Sequence, residues 1–290
     1  MFGLLCYGHN QKTILFQFKN KQNSFRKIME SISPISEIKT NDYFLLEMKS
    51  IRKRFGGIVA LDGVDFNLKS GEVVALVGDN GAGKSTLIKI ISGVYQPDYG
   101  DIFINGKRTK IYNTLFARKL GIETVFQDLA LFGLLEVTTN LFAGREKINK
   151  YRFLKKSMMD KISKEVLKKT GITIKSLRQS VDKLSGGQKH AIAIARAVFI
   201  SENQKILLMD EPTAGLGVVE SNKLLDLIKN LRNIGISIVL ITHSLDHAFI
   251  VSDRFVILRG GKKVTEKNVN ETNSTELVEL MVGRSNSRKT

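Results

Sequence analysis

The chain of 290 residues has a single cysteine and no apolar run of the roughly 18 residues that a transmembrane helix needs. Because Cys6 has no second thiol to pair with, an internal disulfide is excluded, which is typical of a reducing compartment. Even the apolar stretch 236–251 is interrupted by His243, Asp246 and His247. With 42% hydrophobic and 25% charged residues, the sequence predicts a globular protein that does not itself span a membrane.

Acidic residues are also scarce, since 28 Asp and Glu face 45 Lys and Arg, for a formal net charge of +17. Such an excess invites a nucleic-acid hypothesis. Much of the excess lies at the ends, however: residues 1–29 hold no acid, and residues 284–290 form a basic tail. The remaining lysines, such as Lys155-Lys156 and Lys168-Lys169, indicate solvated helix faces or a surface suited to anionic lipid headgroups. No nucleic-acid partner is expected.

The first 43 residues are polar and basic without a sustained period, so we expect a disordered or extraneous extension before a domain at 44–283. In composition, residues 1–28 resemble an organellar targeting peptide. They also fit a start codon assigned too far upstream, with Met29 as the true start. The second interpretation is favoured because the phenylalanines and lysines keep no clean amphipathic helix period.

The most informative segment is G-D-N-G-A-G-K-S-T at residues 78–86, directly after the apolar run 73–77. Its glycines let the backbone turn tightly and aim N–H groups at an anion, beside the N-terminus of the helix that residues 87–91 predict. Lys84 can then reach the β- and γ-phosphates, and the Ser85 hydroxyl can bind Mg²⁺. The predicted nucleotide-binding residues of this cradle are Gly78, Asp79, Asn80, Gly81, Ala82, Gly83, Lys84, Ser85 and Thr86.

A second segment, I-L-L-M-D-E at residues 206–211, predicts a buried strand that ends in two carboxylates. Successive strand side chains point to opposite faces, which would hold Asp210 toward Mg²⁺ and leave Glu211 to meet a water. Glu211 is therefore the candidate general base for attack on the γ-phosphate, while Lys84 and Mg²⁺ stabilise the phosphoryl oxygens. The alternative is a pair of solvated turn acids.

A third segment, L-S-G-G-Q at residues 184–188, precedes a second predicted helix. Ser185 and the N–H groups around Gly186, Gly187 and Gln188 form a donor set suited to an anion at a helix start. L-S-G-G-Q between the cradle and the I-L-L-M-D-E strand resembles the nucleotide-binding domain of ABC-type ATPases, over residues of about 44–283.

This resemblance implies an α/β P-loop NTPase fold with a mostly parallel central sheet, an antiparallel β subdomain and an inserted α-helical subdomain at about 128–185. It also implies ATP and Mg²⁺ as cofactors and a head-to-tail dimer, with a second copy or a homologous subunit. In such a dimer the signature loop, residues 185–188, caps the ATP held by the partner's cradle.

Three further residues acquire roles only through the resemblance. Phe55 is similar to the aromatic residue that stacks on adenine, Gln127 to the glutamine that touches Mg²⁺ and links the site to a membrane partner, and His243 to the histidine that contacts the γ-phosphate. Two departures are present: Gly217 replaces an aspartate that is common in the family, and Lys189-His190 replaces a frequent arginine–glutamine pair.

The local sequence at residues 127–131, 140–146 and 211–218 resembles that of importers of simple sugars, of the fructose or ribose type. The function expected is an ATP-hydrolysing subunit at the cytoplasmic face of the plasma membrane, with permease subunits as partners and, indirectly, an extracytoplasmic sugar-binding protein. Alternatives are the ATPase of an ABC system for another substrate, or a soluble ABC-type ATPase of translation or DNA repair. Proteins of the latter kind usually show paired cassettes or a long coiled-coil insertion, and neither is visible here.

Coarser patterns predict some individual elements. The spacing of Met158-Met159, Ile162 and Val166-Leu167 indicates one apolar helix face, with the methionine pair in the core. Residues 255–258 and 262–265 flank Gly260-Gly261 and predict a hairpin. Asn273 with Glu276 three residues later predicts the capped start of a terminal helix.

Overall fold

The computed structural model describes residues 44–171, 173–201 and 203–283. The expectations for residues 1–43, for a start at Met29 and for the basic tail 284–290 lie outside the described residues. In chain order the strands are β1 (Leu46–Phe55), β2 (Ile58–Leu68), β3 (Val73–Val77), β4 (Tyr99–Ile104), β5 (Lys107–Arg108), β6 (Ile122–Val125), β7 (Ile206–Asp210), β8 (Ser237–Ile241), β9 (Arg254–Arg259) and β10 (Lys262–Asn268). The α-helices are α1 (Lys84–Ile91), α2 (Thr114–Lys119), α3 (Val137–Phe142), α4 (Lys156–Lys169), α5 (Gly186–Phe199), α6 (Val218–Asn233), α7 (Leu245–Val251) and α8 (Ser274–Val282), with 3₁₀ turns at Val181–Lys183 and Val269–Glu271.

Two sheets carry the fold. The larger one has the strand order β10-β9-β3-β8-β7-β6 and is parallel except for the β9–β10 pair, while the smaller, β2-β1-β4-β5, is antiparallel. Strands β3 and β8 are buried at every position because helices cover both faces of the parallel sheet. The predicted fold class is therefore confirmed.

Separate apolar clusters hold the helices in place. One lies between the antiparallel sheet, α1 and one face of the parallel sheet, and another packs α5 and α6 on the opposite face. A third joins α3 and α4 to α5 through residues that include Phe142, Met159 and Ile192. Helix α5 thus belongs to two clusters and connects the helical insertion to the sheet.

Most of the predicted elements are present, with one correction. The hairpin is formed by β9 and β10, and the Asn273 side chain caps α8 by accepting a hydrogen bond from the Glu276 N–H. The predicted core pair of methionines is half wrong: Met159 is buried, whereas Met158 is 49% exposed. Consecutive residues of a helix point about 100° apart, so only one of the pair can face the interior. Within the described ranges, none of the helices combines the length and apolar character that crossing a bilayer requires.

Candidate functional site

The cradle connects the end of β3 to the start of α1. A side chain at Gly78, whose φ is +150°, would bring a Cβ within 2.1 Å of the Leu258 carbonyl oxygen. A Cβ at Gly83, φ +102°, would lie 2.7 Å from the Ala60 oxygen. These two positions accept only glycine because neighbouring backbone presses against the loop. The loop therefore reaches α1 in one fixed path, with Lys84 as the first residue of the helix.

The Lys84 ammonium lies inside this loop. It is buried, and its Nζ donates hydrogen bonds to the carbonyl oxygens of Gly78 at 2.6 Å and Asp79 at 2.9 Å. Burial lowers the pKa of Lys84, and the carboxylates of Glu211, Asp79 and Asp210 oppose that shift. The ammonium is thus surrounded by oxygen atoms and close to both acids of the I-L-L-M-D-E segment.

Asp210 is the last residue of β7, which is paired with β8 so that Asp210 lies beside Ile241. Burial, together with the adjacent Glu211 carboxylate, raises the pKa of Asp210, while Lys89, Lys84 and His243 act in the opposite direction. A carboxylate in such surroundings is stabilised by an additional cation. Its hard oxygen atoms suit Mg²⁺.

The structure corrects the reason given for separating the two acids. Glu211 lies beyond the strand, with a φ of +52° that is rare for a residue with a side chain, so strand alternation does not reach it. Its N–H donates to the Ile241 carbonyl oxygen at 2.9 Å, which fixes the turn. A backbone reversal, rather than the pleat, separates Glu211 from Asp210.

Glu211 also has a side-chain partner. The Nε2 atom of His243, in the segment after β8, lies 2.9 Å from the Glu211 Oε1 atom. The sequence suggested separate roles for these two residues but contained no signal of a direct contact, since they are 32 positions apart along the chain. The pairing of β7 with β8 brings them together. The His243 side chain is 48% exposed and that of Glu211 is 24% exposed, so solvent still reaches the carboxylate.

Sheet order brings the remaining phosphate-side candidates to the same edge. Strands β3, β8, β7 and β6 are parallel neighbours. Asp210 therefore lies at the same edge as the cradle, His243 and Gln127, because it ends β7 while they follow the carboxyl ends of β3, β8 and β6. Ligands of open α/β sheets bind at this edge. Gln127 itself is exposed, and in the described part of the chain no hydrogen bond joins it to Lys84, Asp210 or Glu211.

Phe55 ends β1 and is 41% exposed. Its ring meets Tyr95 edge-on at a centroid distance of 5.1 Å, and Lys53 Nζ lies 5.5 Å from the Phe55 centroid. Tyr95 was not singled out in the sequence because it belongs to no motif. An exposed aromatic ring supported by a second ring can offer a face to a planar base.

The signature loop opens α5 through a capping box: Ser185 Oγ accepts from the Gln188 N–H, and Gln188 Oε1 accepts from the Ser185 N–H. Added Cβ atoms at Gly186 and Gly187 would lie 2.9 Å from Leu216 and Glu220 respectively, at the start of α6. Among the described residues, no hydrogen bond or ion pair connects residues 185–188 with the cradle at 78–86.

Both departures from the family pattern have structural counterparts. A Cβ at Gly217 would lie 2.9 Å from a Glu220 carboxylate oxygen, so an aspartate there would bring like charges together. His190 is buried with its Nδ1 atom 3.0 Å from the Gly186 carbonyl oxygen, and burial lowers its pKa. His190 therefore supports the start of α5 from within.

One arginine connects α5 with the segment after Gln127. The guanidinium of Arg196 donates to the carbonyl oxygens of Leu129 and Ala130, each at 2.9 Å. Beside it, Arg145 donates to the Arg196 carbonyl oxygen and to the buried Glu123 carboxylate at 2.6 Å. The segment that follows Gln127 is thus hydrogen-bonded to α5, the helix that begins at the signature loop, which the sequence alone did not predict.

Comparison with known proteins gives consistent similarities. A family model described as ABC transporter matches residues 61–214. The chain is 48% identical over 237 residues to a xylose/arabinose import ATP-binding protein of Sulfolobus acidocaldarius, covering 82% of this chain and 93% of that protein. It is 42% identical over 247 residues to a fructose import ATP-binding protein of Rhizobium meliloti, covering 82% and 94%. Against a ribose import ATP-binding protein of Caldanaerobacter subterraneus the identity is 39% over 240 residues, and the chain spans about half of that protein, 48%.

Solved structures agree on the fold. A nucleotide-free ATP-binding cassette from an ABC transporter superposes with a TM-score of 0.72 at 26% identity, covering 82% of this chain and 98% of that one. A dimeric ATP-binding cassette in a post-hydrolysis state, bound to ADP and Pi, superposes with a TM-score of 0.66 at 28% identity, covering 77% and 98%.

Proposed function

The chain belongs to the ABC transporter family, and from this premise we propose that it is the ATP-hydrolysing subunit of an importer for a simple sugar. The family membership makes it an ATP-binding protein and an ATPase. Its relatives are named as import ATP-binding proteins for xylose/arabinose, fructose and ribose, and these names support a simple sugar as the imported substrate. The single observation that carries the ATPase mechanism is the Glu211–His243 pair beside Lys84.

The phosphates of ATP would be held by the backbone N–H groups of the cradle and by Lys84, which would exchange a carbonyl partner for a phosphate oxygen. Phe55 would stack on the adenine. Glu211 would accept a proton from the attacking water, and His243 would orient the Glu211 carboxylate while reaching the γ-phosphate. In this assignment the domain at 44–283 is the ATP-binding domain, with the helical subdomain at about 128–185.

Magnesium fits the donor set. The Ser85 hydroxyl, the Asp210 carboxylate and the Gln127 amide oxygen are hard oxygen donors of the kind that Mg²⁺ prefers. Burial and the adjacent Glu211 carboxylate raise the pKa of Asp210, and a bound cation would offset both effects. Bound there, the ion would neutralise charge on the phosphoryl oxygens.

The separation between signature loop and cradle within one chain supports a head-to-tail dimer, with a second copy or a homologous subunit. Ser185, Gly186, Gly187 and Gln188 would then face the γ-phosphate held by the partner. The dimeric cassette found among the structural neighbours has the same overall fold.

In the cell, we place this subunit at the cytoplasmic face of the plasma membrane, bound to permease subunits that receive sugar from an extracytoplasmic sugar-binding protein. The segment after Gln127, which Arg196 connects to α5, is suited to relay the permease state to the signature loop. A nucleic-acid partner is not part of this proposal.

The test is complementation of sugar uptake in cells that lack the gene. Cells expressing the parent chain should regain uptake of one labelled pentose or hexose, while Glu211→Gln should not. The purified Glu211→Gln protein should keep its affinity for ATP but hydrolyse it roughly 10²–10⁴-fold more slowly, the usual worth of a positioned general base.

The matched control is Glu165→Gln, an exposed glutamate on α4. It should leave hydrolysis and uptake unchanged. Turnover by Glu211→Gln within a few-fold of the parent would contradict the catalytic assignment. Restored uptake of an amino acid, with no sugar taken up, would contradict the substrate class while leaving the ATPase intact.

A further inference from the structure

Residues 147–156, K-I-N-K-Y-R-F-L-K-K, form a short hairpin that leads into α4, here called the basic hairpin. Ile148 and Leu154 form an antiparallel bridge, and the Lys155 N–H donates to the Lys147 carbonyl oxygen at 2.8 Å. The Asn149 side chain accepts hydrogen bonds from the N–H groups of Tyr151 at 2.9 Å and Phe153 at 3.0 Å. Backbone hydrogen bonds and the Asn149 side chain therefore hold the tip in one shape.

This fixed shape presents apolar side chains to solvent. Residues 151–158 are exposed without interruption. The exposed fractions are 67% for Tyr151, 71% for Phe153, 49% for Leu154 and 49% for Met158. Isolated exposed apolar residues need no explanation, but a contiguous group on a rigid turn is typical of an interaction surface.

The same segment is strongly basic. The basic hairpin contains five Lys and Arg residues and no acid, and residues 147–169 contain nine basic and two acidic residues. The buried residues of α4 face the helical cluster, while its lysines at 161, 164 and 168 are exposed. Lys150 Nζ lies 4.8 Å from the centre of the Tyr151 ring, so charge and aromatic surface are interleaved at the tip.

We propose that the basic hairpin binds the surface of an anionic lipid bilayer. Aromatic rings settle at the level of the headgroups, and long lysine side chains reach phosphates while their methylenes cover apolar surface. The cytoplasmic leaflet carries negative charge that attracts such a cluster.

A protein partner fits this surface less well, because lysine is depleted at protein–protein interfaces. Single-stranded nucleic acid would use the rings and the charges, but it would leave the aliphatic side chains of Ile148, Leu154 and Met158 without a role. A bilayer interface uses all three kinds of side chain. The proposal concerns the isolated ATPase subunit and does not depend on which substrate it helps to import.

The chain contains no tryptophan, which allows a direct test. In the full chain, Phe153→Trp places a single indole at the tip. With vesicles containing phosphatidylglycerol, its emission should shift to shorter wavelength and be quenched by lipids brominated on the acyl chains. With pure phosphatidylcholine vesicles neither change should occur. As a control, Tyr99→Trp, at a position on β4 that is 70% exposed, should remain in water in both cases.

Vesicle co-sedimentation then separates the contributions. Tyr151→Ser with Phe153→Ser, and separately Lys150→Glu with Lys155→Glu, should each weaken binding to phosphatidylglycerol vesicles by at least roughly tenfold. The charge-matched control, Lys223→Glu with Lys229→Glu on the exposed side of α6, should weaken binding much less. Unchanged ATP hydrolysis by each double variant verifies folding.

Equal losses in the hairpin and control variants would overturn the proposal, as would an indole that stays in water. Binding of a single-stranded oligonucleotide that depends on the same residues, with no binding to vesicles, would assign the surface to nucleic acid instead.

Discussion

Lys84 and Asp210 are opposite charges that burial affects in opposite directions. Burial lowers the pKa of the lysine and raises that of the aspartate, so each folded-state group favours its neutral form more than an exposed group would. Buried charged groups of this kind reduce the stability of the folded chain, and binding of a ligand of complementary charge restores that stability.

We expect Asp210→Asn to raise the thermal unfolding temperature at neutral pH in the absence of nucleotide. A carboxyl whose pKa is raised by folding is protonated more readily in the folded than in the unfolded chain. Stability therefore falls as pH rises from the ordinary value of 3.8 through the folded-state value, and stays lower above it. The gain from Asn should be full at pH 7 and disappear as pH falls through that window.

Thermal unfolding across pH, followed by circular dichroism, measures this gain. Asp226→Asn on the exposed side of α6 is the matched control and should show no such pH-dependent gain. Added Mg-ATP should stabilise the parent more than Asp210→Asn, since a ligand raises stability only through the state that binds it. A variant that is less stable than the parent at pH 7 would contradict the proposed cost of burying Asp210.

At this scale the sequence predicted a tight, glycine-bearing turn from β3 into α1, and the structure has that turn, while its binding of nucleotide stays a prediction. Gly78 and Gly83 are required because the folded chain brings the carbonyl oxygens of Leu258 and Ala60 against the loop. The sequence did not predict the φ of Glu211, the Glu211–His243 contact or the Phe55–Tyr95 pair. Each depends on residues far apart in the chain that only the completed sheets bring together.

Helices α5 and α6 meet at the signature loop, where two glycines allow close packing. At Gly187 an added Cβ would lie 2.9 Å from Glu220 Cγ and 3.0 Å from its Cβ, whereas at Gly186 it would meet only the end of the Leu216 side chain. The first obstacle is close to the α6 backbone, and the second can rotate away.

We therefore expect Gly187→Ala to lower ATP hydrolysis more than Gly186→Ala does, by roughly 10- to 100-fold against a few-fold, since displacements of about 1 Å can cost that much. Steady-state ATPase assays measure the difference. Adding Leu216→Ala to Gly186→Ala should recover part of its loss. Gly133→Ala, where the nearest atom is an ordinary 3.6 Å away, is the control. A larger loss of ATP hydrolysis for Gly186→Ala than for Gly187→Ala would show that contacts outside this chain determine the effect.

Elements with strong periodicity or caps were predicted from sequence, as α8 shows through its Asn273 cap. The limits of such patterns are visible in α4. The apolar spacing indicated the helix, but it could not decide which of Met158 and Met159 faces inward, because that depends on how α4 is rotated against α3 and α5.

On the scale of the whole molecule, the proposed dimer predicts that two inactive variants complement each other. Ser185→Arg places bulk and charge at the partner's γ-phosphate, whereas Lys84→Ala disables the chain's own cradle. A mixed dimer combines an intact cradle with an intact signature loop at one of its two sites. ATP hydrolysis should therefore reappear, in part, only in the mixture.

The control is each variant assayed alone at the same total protein concentration, and neither sample should hydrolyse ATP appreciably. A second control mixes Ser185→Arg with Lys229→Ala, which changes a lysine on the exposed side of α6. This mixture should hydrolyse ATP at the same rate as a mixture of Ser185→Arg with the parent chain. If Ser185→Arg alone hydrolyses ATP at the parental rate, the signature loop does not reach the partner's nucleotide.

The left-handed backbone of Glu211 has a consequence for directed evolution of this protein. A residue with a side chain costs roughly 1–2 kcal/mol in that conformation, and glycine does not. Selection for heat resistance alone would thus reward Glu211→Gly while eliminating turnover. Libraries screened only for soluble, heat-resistant protein should accumulate that inactive substitution, and a simultaneous screen for phosphate release would remove it.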